Sequence, residues 1–148
     1  MDIILQNALL DKTMHVVNIG IEHGVISKIS KEAIGQAKQT FDAQGRLVVP
    51  PFFESHFHLD NTLLWGDVNK SGTLREAIEL YASRKRSMDI EDIVARASET
   101  LRMCLANGVT WVRSHVDIDD IGQLNLLEGV KAAKEKFAGI VDVQIIAF

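Results

Sequence analysis

The sequence predicts an α/β fold in which parallel strands alternate with helices, preceded by a short all-β segment. Three observations carry that prediction. From Leu47 onward, apolar strand-like runs alternate with helix-period segments in the order strand, helices, strand, helix, strand. Right-handed crossovers then make those strands parallel neighbours. Before Leu47 the apolar runs are short and separated by turn signals, as in a small antiparallel sheet. The first of the later strands leads into His56-Phe57-His58, a spacing that projects two imidazoles to one side of an extended chain.

Taken in order, residues 2–10 form the first apolar run, Val16 to Ile21 the second and Val25 to Ile29 the third. Glu22-His23-Gly24 separates the last two, with a glycine able to supply a positive φ. His15 and His23 fall at a strand edge and in this turn, where histidines are structural or simply exposed. Lys31 to Thr40 reads as a polar connection, and Asp42-Ala43-Gln44-Gly45 as a turn into the run Leu47-Val48-Val49. Asn61 to Gly72 reads as a loop whose leucines and Trp65 either line a pocket over the histidines or pack the loop down.

Thr73 with Glu76 has the form of a capping box, and Leu74, Ala77, Ile78, Tyr81 and Ala82 keep helical spacing after it. The basic cluster Arg84-Lys85-Arg86 then suits the negative end of the helix dipole. A second helix starts at Asp89, with Ile90, Ile93, Val94, Ala97, Leu101 and Leu105 on one stripe, and Asn107-Gly108 closes it. Cys104 lies on or beside that stripe as a small core residue. Val109 to Asp117 is the next strand, Asp119 and Asp120 open a third helix ending at Gly139, and Ile140 to Phe148 is the last strand. Three parallel strands cannot close on themselves, whereas a barrel of this type needs eight. The chain therefore reads as unfinished.

Bulk properties exclude several classes. The 148 residues carry a net charge of −4, with a pI near 5.7, which argues against a nucleic-acid or anionic-membrane surface. No apolar run approaches the ~20 residues of a membrane span, and Met1-Asp2-Ile3 lacks the basic start of a signal peptide. Cys104 is the single cysteine, so no internal disulfide forms and a reducing, cytoplasmic setting is expected. Zinc deaminases of the cytidine type need His-x-Glu and Pro-Cys-x-x-Cys, and neither is present.

The chemistry gathers around His56 and His58. Two imidazoles on one side of a strand suit one divalent metal, although the spacing alone more often marks one structural histidine and one on a wet loop. Position favours the metal, because barrel enzymes place their chemistry just beyond a buried strand. Arg113, His115 and Asp117 share a face at the end of the next strand if alternation holds, either as pocket residues supporting the site or as a buried polar network. Asp60 reads as a residue that orients a ligand or loop, and Glu54 falls on the histidine side by counting.

Several segments then carry a family likeness. Asp42-Ala43-Gln44-Gly45, Leu47-Val48-Val49-Pro50-Pro51 and Phe53-Glu54-Ser55-His56-Phe57-His58-Leu59-Asp60 together resemble the N-terminal region of the amidohydrolase superfamily. The nearest likeness is to bacterial cytosine deaminases, supported by Ser71 to Leu74, Ala106 to Val109, Val112 to Asp117 and Val143 to Phe148. Most of the superfamily has Pro-Gly after the first strand, and Pro50-Pro51 favours this branch.

The resemblance implies residues 1–46 as part of a small β-sandwich, and residues 47–148 as the first three βα units of a metal-dependent (β/α)8 TIM-barrel hydrolase. It implies one divalent metal, Fe2+ or Zn2+, with His56 and His58 matching the first two ligands. A histidine, an aspartate, a proton-carrying glutamate and a pyrimidine-contacting glutamine would follow Phe148, so the catalytic residues are expected there. The implied reaction deaminates cytosine or a related pyrimidine: metal binding lowers the pKa of water toward ~7, hydroxide adds to the amino-bearing carbon, and ammonia leaves. Alternatives are an ammelide-type triazine, isoguanine or a cyclic amide as substrate, or a truncated non-catalytic binding or oligomerisation module. A homo-oligomer is expected of the full-length form.

Overall fold

The computed structural model describes residues 1–10, 14–64 and 69–148, which fall into two compact units, Met1–Pro50 and Pro51–Phe148. In the first unit, β1 (Ile3–Leu10), β2 (His15–Glu22) and β3 (Val25–Ser30) run antiparallel in sequence order. The β2–β3 turn has both His23 and Gly24 at positive φ, so its handedness matches the strand twist. Ala8, Val17 and Ile19 form a small core. Two strands beyond the predicted three join it. Gln39–Asp42, within and after the segment read as a polar connection, is β4 and pairs parallel to β1. Leu47–Val48, β5, also pairs parallel to β1, through Leu9 and Leu10.

That last pairing moves the predicted boundary. The run at Leu47 ends the first sheet instead of opening the second. Pro50 and Pro51 offer no N–H to a ladder, so the strand breaks there and β6 (Phe52–Phe57) begins after them. Leu47 and Val49 are exposed, not buried as the sequence suggested.

In the second unit, β6, β7 (Val109–Val116) and β8 (Asp142–Ala147) form a parallel sheet in that order. Alternation on β7 turns Val112, Ser114 and Val116, all fully buried, toward the helical side, and Trp111, Arg113 and His115 the other way. The helical side is packed by α2 (Ile90–Ala106) and α3 (Asn125–Lys136), whose Ile93, Ala97, Leu101, Leu126, Val130 and Ala133 join Val112 and Val116 in one core. Asp89 caps α2 by accepting the Asp92 amide at 2.7 Å. The third helix starts later than predicted. Asp119 instead accepts the amides of Ile121 and Gly122, an Asx-type turn that delays the helix to Asn125.

Helix α1 (Leu74–Lys85) departs most from expectation. Thr73 accepts the Glu76 amide as predicted, but Glu76 reaches back to Ser71 and the Lys70 amide instead of closing the box. Leu74 and Ile78 of the apolar stripe are exposed, and the one buried residue of the helix is Lys85. Among the described residues, no helix is long and apolar enough to cross a membrane.

Candidate functional site

The C-terminal end of β6 gathers the predicted histidines by way of an irregularity. Glu54 pairs with Val112 and Phe57 with Ser114, three residues against two, so one residue is extra. The Glu54 carboxylate accepts the His56 amide at 3.0 Å within this bulge. Simple counting put Glu54 on the histidine side. The bulge changes the parity, and Glu54 instead shares the register of Val112, near enough to Cys104 for its charge to add to burial in raising the thiol pKa.

His56 and His58 face the same space, with ring centres 5.3 Å apart, as the sequence predicted. His115 from β7 joins them. Its ring stacks on His56 at 4.3 Å and lies 5.9 Å from His58. Phe148 closes the group edge-on, 5.4 Å from His58, because the β7–β8 ladder continues through the Phe148 amide to Val116. Burial lowers the His115 pKa, and the neighbouring His56 and His58 lower it further. Its Nδ1 is buried with no hydrogen-bond partner among the described residues. A neutral imidazole with a free nitrogen has the chemistry of a metal ligand or of a group packed beside one. Even so, no set of three or more His, Cys, Asp or Glu is arranged to hold a metal among the described residues.

The other predicted residues separate. Asp60 is fully buried, and its Oδ2 accepts the Tyr81 hydroxyl at 3.1 Å and the Asp117 amide at 3.2 Å. Burial pushes its carboxyl pKa up against the effect of those bonds. Asp117 lies just past β7 and takes Lys85 Nζ at 2.5 Å. Arg113 donates from Nε to Gln144 on β8 at 2.7 Å and lies 5.8 Å from the Trp111 ring, so it binds two strands together below the histidines. Trp65 falls outside the described residues.

Sequence reasoning missed Lys85, which it read only as one of the basic charges at a helix C-terminus. The ammonium is buried between Asp117 and Asp119 (2.6 Å), and the two carboxylates outweigh burial and raise its pKa. A signal existed: Lys85 follows Tyr81 by four residues, on the same stripe as Leu74 and Ile78. Beside His58 these groups enclose a cavity of about 380 Å³, with Ile78, Tyr81, Lys85, Asp117 and Phe148 in its wall.

Residues 39–143 match the model of the amidohydrolase family. The chain is 29% identical over 157 aligned residues to N-isopropylammelide isopropyl amidohydrolase of Pseudomonas sp. (strain ADP), covering 99% of this chain and 38% of that protein. Its structure superimposes on 5-methylcytosine deaminase from Klebsiella pneumoniae liganded with 5-fluorocytosine, with a TM-score of 0.86 and 40% identity, covering 98% of this chain and 36% of that one. N-isopropylammelide isopropylaminohydrolase from Burkholderia multivorans gives a TM-score of 0.83 and 27% identity, over 100% of this chain and 38% of that one. The chain thus spans little more than a third of the length of these relatives, and its two units correspond to the N-terminal part of their fold, the first as a β-sandwich-like sheet. The chain belongs to the amidohydrolase family.

Proposed function

We propose that residues 1–148 form the N-terminal part of a metal-dependent aminohydrolase that releases ammonia from cytosine or a closely related pyrimidine. The observation that carries this reading is the pair of imidazoles, His56 and His58, on one side of the bulged end of a parallel strand. Members of the amidohydrolase family are metal-dependent. His56 and His58 would hold one divalent ion, Zn2+ or Fe2+, and the remaining ligands would come from later strands of a closed barrel. When bound, such an ion makes hydroxide available near neutral pH.

The chain's own residues prepare the place. His115 packs against both motif imidazoles, and burial lowers its pKa, which disfavours a charge that would repel a cation. Phe148 and Ile78 give the neighbouring cavity apolar walls, which suit the faces of a flat heterocycle. The proton-carrying carboxylate that general acid–base chemistry requires is not among these groups, and we place it on the later strands.

The cytosine reading rests on the 40% identity to 5-methylcytosine deaminase. The likeness to two N-isopropylammelide hydrolases favours a second substrate class, an N-alkylated triazine. Ammonia or amine release by the full-length, Zn2+- or Fe2+-loaded protein from cytosine, 5-methylcytosine, isoguanine and N-isopropylammelide separates them. We expect turnover of the pyrimidines, with N-isopropylammelide far slower. Turnover of N-isopropylammelide alone would reverse the assignment, and none on any substrate would leave a non-catalytic module.

A further inference from the structure

Behind the motif histidines lies a closed ring of polar contacts. Asp60 follows His58 by two residues, in a single 3-10 turn, Leu59–Asn61. Its Oδ2 receives the Tyr81 hydroxyl and the Asp117 amide, Asp117 receives Lys85, and the Lys85 ammonium lies 4.6 Å from the centre of the Tyr81 ring. The same turn is fixed at two more points. Ser114 Oγ, fully buried, accepts the Leu59 amide at 3.0 Å. Arg96 Nη1 donates to the carbonyls of Asp60 and Thr62 at 2.9 and 2.8 Å. The backbone just after His58 is therefore held by groups from α1, α2, β7 and the residue that follows β7. A short turn exposed to water needs none of this, since its amides and carbonyls would be solvated. A side chain's direction is set by its backbone and a small choice of rotamers, so fixing this backbone aims the His58 imidazole.

We propose that Asp60 is a positioning residue for His58: by tying the turn to Tyr81 and Asp117 it aims that imidazole at the divalent ion assigned to it above, a role that rests on that assignment. Outer partners of this kind typically change metal affinity ~10–100-fold when removed.

The test compares Zn2+ affinity, by competition with a chelator, in the wild-type protein and in the Asp60→Ala, Tyr81→Phe, His58→Ala and Ile93→Val variants. A metal-free readout accompanies it, the NMR contact between the rings of His58 and Phe148. Ile93→Val lowers stability in the α2–α3 core without removing any of these polar contacts, and controls for a merely structural effect. Asp60→Ala should weaken Zn2+ binding by ~10-fold or more and lose the His58–Phe148 contact, while Ile93→Val changes neither. Tyr81→Phe removes only a hydroxyl and should move both readouts in the same direction, which keeps the test decisive if Asp60→Ala does not fold. Wild-type Zn2+ affinity and an intact ring contact in Asp60→Ala and Tyr81→Phe, with Zn2+ binding lost in His58→Ala, would overturn the positioning role alone. Undiminished Zn2+ binding in His58→Ala would overturn the metal assignment, and the role with it.

Discussion

Asp119 shows how one side chain serves both local turn and long-range fastening. Its Oδ1 accepts the amides of Ile121 and Gly122 at 3.1 and 2.7 Å, while its Oδ2 receives Lys85 at 2.6 Å. Lys85 foremost, then the Gly122 amide, hold its carboxyl below the ordinary carboxylate range. A carboxylate depressed in the folded state contributes stability that is complete above its unfolded pKa of ~3.9 and is lost as pH falls through the folded value. Asp60 works in the opposite sense. Burial raises its pKa, so its contribution is complete below the unfolded value and fades as pH rises through the folded one. Urea unfolding of wild type and Asp119→Asn between about pH 5 and pH 2 isolates the first effect. Wild type should be the more stable at pH 5, with the gap narrowing on acidification; a constant gap would show that the ionic bond adds nothing.

At the scale of elements, the close approach of α2 and α3 rests on Gly129. A Cβ there would lie 2.5 Å from Ile93 Cγ2 and 2.7 Å from Ile93 Cβ, both in the packed core. The Gly129→Ala variant should lose stability despite alanine's better helix propensity, by about 1–3 kcal/mol, as overpacked cores do. Chemical denaturation measures this, and in a double-mutant cycle with Ile93→Ala, which removes Cγ2, the two losses should be less than additive. Neutral or stabilising behaviour of Gly129→Ala alone would mean that the helices move apart freely. The sequence made α2 legible because its apolar stripe is long and capped at Asp89. It did not reveal that α1 docks through Lys85 and Tyr81, since an apolar spacing of Leu74 and Ile78 says nothing about what covers it. Likewise Asp119 carries the same local signal in an Asx turn as at a helix cap, so the start of α3 was misplaced to it. The proline pair hid a sheet change, because the apolar residues on both sides of Pro50-Pro51 look alike in one dimension.

For the whole molecule, the strand–helix order was readable from periodicity, and the pairing of His56 with His58 from their spacing. His115 was legible only as a position on β7. Its stacking on His56 depends on a bulge in β6 that no period reveals. The two units, Met1–Pro50 and Pro51–Phe148, together match little more than a third of their relatives, and the share of the metal site proposed for this part is two ligands, His56 and His58. Metal content and Zn2+ stoichiometry of the purified full-length protein test it most directly, for wild type beside the His56→Ala, His58→Ala double variant. One tightly held divalent ion per wild-type chain is expected, with a fall to background in the double variant and folding intact by circular dichroism. Equal metal content in the two proteins would contradict it.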